Sequence, residues 1–317
     1  VKNNNSSFFS SPRTQIKFFQ WVGTIFAVIG MLISLYFLSK IDVKALDQSK
    51  QVLLALGYAI MGYMFWKTII SAVIILRFVK KSTDEELVAN RYILASLSLN
   101  LGGFLTPWVL TSLPNVTTQS TIKPKWFLSR SFAIITTIGS AIFLGVLFWQ
   151  LKTISPNTNW FDQSKEWYWI LVGFIIGNGV LLVVGLLAFI LFFNKNSKER
   201  FEGNTFTSFL MKTIAVFYLV IVTIELIVLM IYSILRLIGN IINTAARVLQ
   251  ADNALIGVLY FLFGLLTMFF QIYYVIFLTM MISQTIKGIW RKDGVITIKV
   301  YDKLKEKEDK YQLKHNR

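Results

Sequence analysis

The 317-residue chain has no cysteine and a single histidine, His315, three residues from its end. Disulfides, thiolate nucleophiles and cysteine-ligated metal sites are therefore excluded. Imidazole acid–base chemistry and most imidazole metal sites are removed from the body of the protein. Acidic residues are scarce: 16 Asp and Glu face 32 Lys and Arg, a net charge of +16. No G-x-x-x-x-G-K-[ST], H-E-x-x-H or paired-Asp phosphotransferase pattern occurs in the sequence. No catalytic residues, no metal site and no cofactor are expected, and the chain does not read as an enzyme.

What the chain has in abundance is apolar length. Hydrophobic residues make up 55% of it and the mean hydropathy is +0.60. A soluble domain of this size could not hide so much apolar surface, and runs of twenty or more apolar residues point to membrane spans. Six such runs fall at 18–39, 51–78, 131–151, 166–193, 210–238 and 254–286. In lipid every backbone amide must bond within its own segment, so these runs are helices and the expected fold is all-α, a polytopic helix bundle.

The segment 92–113, YILASLSLNLGGFLTPWVLTSL, is long enough to span but is interrupted by Asn100, Gly102, Gly103, Thr106 and Pro107. Pro107 lacks a donor and opens any helical ladder that runs through it. Charge decides between crossing and not crossing. If the segment does not cross, 24 basic residues lie on one side and 7 on the other, with Lys67 inside a span. A crossing segment swaps every later loop and weakens that asymmetry, against the positive-inside rule. The expected arrangement is six transmembrane helices with both termini cytoplasmic and 92–113 re-entrant or interfacial. Its parts are a tail 1–17, hairpin 18–78, linker 79–130, hairpin 131–193, linker 194–209, hairpin 210–286 and a basic tail 287–317. No cleavable signal peptide is expected, and the first span reads as a signal anchor.

Two of these hairpins repeat one another. Asp47-Gln48-Ser49-Lys50 recurs as Asp162-Gln163-Ser164-Lys165, and the ungapped alignment continues through Gly62 on Gly177, Phe78 on Phe193 and Ser82 on Ser197. In all, 12 of the 40 positions from 47 to 86 are identical to those 115 residues later. The copies share an orientation, which makes the repeat parallel. Three hairpins in this length resemble mitochondrial-type carriers in architecture. The carrier signature, a proline followed at fixed spacing by an acidic and a basic residue, is absent at all five prolines, Pro12, Pro107, Pro114, Pro124 and Pro156. No family is identified.

Charge inside a span costs roughly 2.5–3.5 kcal/mol on insertion scales, so Glu225 and Lys67 stand out as candidate substrate- or ion-binding residues. Lys67 is replaced by Leu182 in the second copy, so the hairpin scaffold does not itself need it. Facing one another they would form an ion pair; otherwise Lys67 would snorkel toward a headgroup. Asn100, Gly102, Gly103 and Thr106 are the second group, since broken backbone at membrane depth is tolerated where it lines a wet cavity. Asn178 and Gln271 are expected to bond between helices, and Gly173, Gly177, Gly179 and Gly185 to form a close-packing face. Arg236 is expected to anchor a helix end at the interface. In the tail, Val295–Tyr301 alternates like a strand and Lys303–Lys314 reads as a polar helix.

These features point to a transporter or permease component for a small solute or ion, without its own ATPase. The alternative is a non-catalytic anchoring subunit of a larger membrane complex. The expected partners are the lipid bilayer and protein subunits reached through 287–317 and 79–130. The tail's mixed charge argues against nucleic acid. Heavy use of Lys, Asn, Ile and Phe suggests an AT-rich bacterial gene, and the expected location is the plasma membrane.

Overall fold

The computed structural model describes residues 12–99, 105–113, 122–154, 158–250 and 253–291. Among them there are helices and no strand. Six helices are long and apolar enough to cross a membrane. They are α1 (Pro12–Ser39), α2 (Gln48–Lys81), α6 (Pro124–Ile154), α7 (Tyr168–Phe192), α9 (Phe206–Leu249) and α10 (Ala254–Ile289). Four short helices join them: α3 (Asp84–Ala89), α4 (Arg91–Ser98), α5 (Leu105–Thr111) and α8 (Ser197–Glu202).

Local chemistry sets the starts. Pro12 and Pro124 occupy first positions, where a missing amide proton costs nothing. Asp47, Thr205 and Asn253 cap α2, α9 and α10 by accepting from the amides of Lys50, Ser208 and Leu255. Thr83 and Glu86 form a reciprocal capping box on α3. Pro107 lies in the first turn of α5, where its nitrogen would have had no helical partner. The apolar run is thus broken into two helices of 8 and 7 residues, neither able to cross a membrane.

The long helices pack in antiparallel neighbours. α2 lies against α6, with Gly62 facing Ile142 and Val146, Tyr63 against Gly139, and Phe78 on Phe127 at 4.6 Å between ring centroids. α6 also carries α7, through Gly185 set on Thr136 and Thr137 and Phe143 stacked on Phe174. Lipid tails are as apolar as leucine, so such close approaches, not expulsion of water, hold helices together in a bilayer. One core gathers Ile75, Leu94, Phe132 and Leu219, and a second gathers Leu56, Leu147, Leu151 and Trp167. They are called below the Ser82 end and the Asp162 end.

Several expectations are altered. α9 runs to Leu249, eleven residues past its expected span, because Asn240, Asn243, Thr244 and Arg247 lower hydropathy without breaking a helix. α10 meets α9 at Thr223, whose hydroxyl accepts from Trp290 Nε1 at 2.9 Å, and not at α9's first turns. On α7 only Gly185 packs closely; Gly173, Gly177 and Gly179 have open space before them, because α7 lies at the bundle edge. The duplicated tetrapeptides also differ. Asp47 caps α2 directly, whereas Asp162 bonds Ser164 in a turn and α7 begins only at Tyr168. Both carboxyls are held below their usual range, chiefly by the backbone amides of Lys50 and Ser164 respectively. The strand and helix expected at Val295–Tyr301 and Lys303–Lys314 lie outside the described residues.

A Cβ at Gly185 would stand 2.6 Å from Thr137 Oγ1 and one at Gly139 2.8 Å from Tyr63 Cε2, closer than side chains tolerate. Gly185→Leu and Gly139→Leu are expected to destabilise by about 1–3 kcal/mol, the usual cost of overpacking. Gly177→Leu should leave stability unchanged. Thermal unfolding of the purified variants in one detergent checks all three.

Candidate functional site

Lys67 on α2 and Glu225 on α9 meet in the interior of the bundle. Lys67 Nζ donates to Glu225 Oε2 at 2.7 Å, across 158 residues of sequence. The Lys67 side chain is 8% exposed and that of Glu225 30% exposed, so the ammonium is enclosed while the carboxylate keeps an open side. The two charges lie where solvation is poorest, and each supplies the counter-charge that makes burial of the other tolerable.

Residues with hydroxyl groups flank the pair along α2, α6 and α9. Tyr63, one turn before Lys67, rests on Gly139 of α6. Two turns before Glu225, the Tyr218 hydroxyl lies 3.0 Å from that of Thr136, again on α6. Thr136 and Thr137 in turn receive Gly185 of α7. α2, α6, α7 and α9 are thus held by one ion pair, one hydroxyl pair and the close contacts of Gly62, Gly139 and Gly185. Close by, the buried hydroxyls of Thr68, Ser71 and Ser140 have no hydrogen-bond partner among the described residues. Buried polar groups normally find one; Thr68 and Ser71 lie within a turn of Lys67 on α2, and Ser140 follows Gly139 on α6.

One turn beyond Glu225, Leu229 begins the wall of a cavity of about 230 Å³ between α9, α10 and Leu99 at the end of α4. The cavity continues along the α9 face that carries Glu225, through Ser233 and Arg236 to Asn240.

The α4–α5 segment runs along α10 and back. Tyr92 lies against Gly288, Leu99 shares the cavity wall with Leu278, Trp108 meets Phe277 edge-on, and Thr111 donates to Met281 Sδ at 3.3 Å. Arg91 closes its two ends. The residue is 1% exposed, and its guanidinium donates to the Leu113 carbonyl at 2.8 Å and lies over the Tyr92 ring. Asn90 ties the same point to the Ile122 carbonyl. Arg91 is the structural residue that sequence reasoning missed, since it was counted only as a topological charge. The signal available was its position directly against an apolar run, with no polar spacer.

Of the other candidates, Asn100, Gly102 and Gly103 lie outside the described residues. Thr106 is fully buried in α5, its hydroxyl unpaired among the described residues, and no hydrogen bond joins it to Lys67 or Glu225. Asn178 does not bond between helices but donates to the Phe174 carbonyl of its own helix at 3.0 Å. Gln271 lines the cavity with a buried, unpartnered amide oxygen. Among the described residues no group of His, Asp or Glu could hold a metal ion. No family model, no curated protein and no solved structure matches this chain.

Removing one member of the pair strands the other in a poorly solvated interior. Lys67→Met and Glu225→Leu are each expected to cost about 3–5 kcal/mol, while the double variant should regain most of that loss. A double-mutant cycle measured by unfolding in detergent reads the coupling directly. Equal and additive losses would show that the two charges do not act as a pair.

Proposed function

We propose that the protein is a transporter or permease component for a small solute or ion, driven without an ATPase of its own. The observation that carries this reading is the Lys67–Glu225 pair, enclosed on the lysine side and open on the glutamate side. Such a pair is a lock with a chemical key. A proton or a cationic group that takes the Glu225 carboxylate leaves Lys67 without a counter-charge, and α2 and α9 lose their polar tie. The unused hydroxyls of Thr68, Ser71 and Ser140 supply hydrogen bonds to whatever enters. Lys67 has no counterpart in the second hairpin copy, where Leu182 stands, so the pair is particular to the first hairpin and is not a feature of the repeat.

The finer features of the architecture fit the same reading. The run of α4 and α5 down and back along α10, closed by Arg91, supports a re-entrant element. Basic residues crowd the Ser82 end, which supports cytoplasmic termini in a bacterial plasma membrane. The parallel repeat rests on sequence identity, and the packing of both α2 and α7 against α6 accommodates it.

One observation favours the second reading, a membrane-anchoring subunit. Only the last turns of α10, from Leu278 onward, bury large side chains, while Phe261, Phe263, Phe269 and Phe270 are exposed. That face suits a neighbouring subunit as well as lipid.

Proteoliposomes loaded with a pH-sensitive dye and given a pH step test the first reading. Wild-type protein is expected to pass protons, alone or with a solute, and Glu225→Gln to reduce the flux to background. Flux unchanged in Glu225→Gln overturns the assignment of Glu225. No flux from wild type, with stoichiometric partners in a mild-detergent purification, favours the subunit. Because the chain has no cysteine, single-cysteine variants report topology without background. Glu85→Cys and Ser112→Cys, both exposed, should react with an impermeant maleimide from one side and Ser164→Cys from the other.

A further inference from the structure

The cavity between α9 and α10 has a charged rim and an apolar floor. Arg236 and Asn240 stand at one end, with Gln271 opposite on α10; Leu99 and Leu278 lie at the other. Arg236 has no ion pair or hydrogen bond among the described residues. Gln271 presents a buried amide oxygen that accepts no hydrogen bond among the described residues. Arg236 follows Glu225 by eleven residues, about three helical turns, which puts it on the same face and about 16 Å further along the axis. Half the hydrocarbon thickness is about 15 Å. If Glu225 lies near the midplane, Arg236 sits where acyl chains give way to headgroups, and the cavity floor points back toward the membrane centre.

We infer that this cavity binds one anionic phospholipid, in the leaflet at the Asp162 end. The phosphodiester sits on the Arg236 guanidinium, whose planar fork matches phosphate oxygens. A headgroup hydroxyl, such as that of glycerol, donates to Gln271. One acyl chain runs between α9 and α10 over Leu278 toward Leu99. The chemistry distinguishes this site from a snorkelling arginine, which needs only the charge at the interface and no cleft beside it. It also distinguishes it from a free-phosphate site, which would not need the apolar floor. The site stands whether or not the protein transports anything.

Native mass spectrometry of the purified protein tests it, with detergent micelles supplemented in turn with phosphatidylglycerol, phosphatidylcholine and inorganic phosphate alone. One phosphatidylglycerol should be retained per chain, with phosphatidylcholine held more weakly and inorganic phosphate not at all. Arg236→Gln should weaken retention about tenfold, the loss of one charge-assisted contact. Ser233→Trp fills the cleft and leaves the arginine in place, and it should also lose the lipid. Melting temperatures of both variants should match wild type, because both positions lie outside the apolar cores. Retention unchanged in Arg236→Gln, or unchanged in Ser233→Trp, overturns the site. So does phosphatidylcholine bound as tightly as phosphatidylglycerol, or inorganic phosphate bound alone.

Discussion

A charge cannot stay in the interior of a membrane bundle without a partner, and the fold is arranged around that constraint. Lys67 and Glu225 are 158 residues apart, yet the poor solvation at their depth makes their 2.7 Å contact a strong requirement. Once α2 and α9 are held at that height, the neighbouring contacts have little freedom. α6 must pass between α2 and α7 at the level where Gly139 admits Tyr63 and Gly185 admits Thr136 and Thr137. Tyr218 then reaches Thr136 from α9. Hydrophobic burial could not enforce this, because a slip of one turn along a leucine-rich helix exchanges one apolar contact for another. The polar groups and the glycines set the register.

The two ends of the bundle are built differently. At the Ser82 end short helices fill the space between long ones, and charged side chains bind backbone carbonyls. Arg13 donates to the carbonyls of Val79 and Ser82 and pairs with Asp84, while Arg91 joins the ends of α4 and α5. Guanidinium groups suit this task, since several fixed donors can satisfy carbonyls that a broken helix leaves free. At the Asp162 end no short helix lies between the long ones among the described residues beyond the single turn Val43–Ala45, and α9 is the longest element. A 44-residue helix is about 66 Å long, twice the hydrocarbon thickness, so α9 must tilt or emerge.

What could be read from the sequence follows the range of the forces involved. The six spans were legible because lipid demands long apolar helices regardless of neighbours. The break in 92–113 was legible because Pro107, in the first turn of α5, acts locally. Lys67 and Glu225 were identified by their cost, although no pattern in either helix says which partner each one meets. Environments set by packing were not legible. Gly177 aligns with Gly62 in sequence, yet Gly62 faces α6 and Gly177 faces open space, because only a helix between two others has close neighbours on both sides. Arg91 looked like a loop charge because its partner, the Leu113 carbonyl, is a backbone group and leaves no mark in composition. The extension of α9 was hidden for the opposite reason. Hydropathy measures affinity for lipid, whereas a helix ends only where its backbone is stopped, and nothing between Leu237 and Leu249 stops it.

α9 carries more than one of these features, and its geometry links them. Tyr218, Glu225, Leu229, Arg236 and Asn240 recur at spacings of four, seven and eleven residues, which an α-helix places along one stripe. The hydroxyl contact, the ion pair and the cavity wall therefore share a rigid element. A rotation of α9 that opens the carboxylate turns Arg236 away from α10 by the same angle, and a sliding motion shifts both by the same distance. Trp290, bonded to Thr223 two residues before Glu225, ties the end of α10 to the same point. α10 in turn carries Tyr92, Trp108 and Thr111 of the α4–α5 segment against it. The ion pair and the broken segment are thus joined through packed side chains of α9 and α10 and one hydrogen bond.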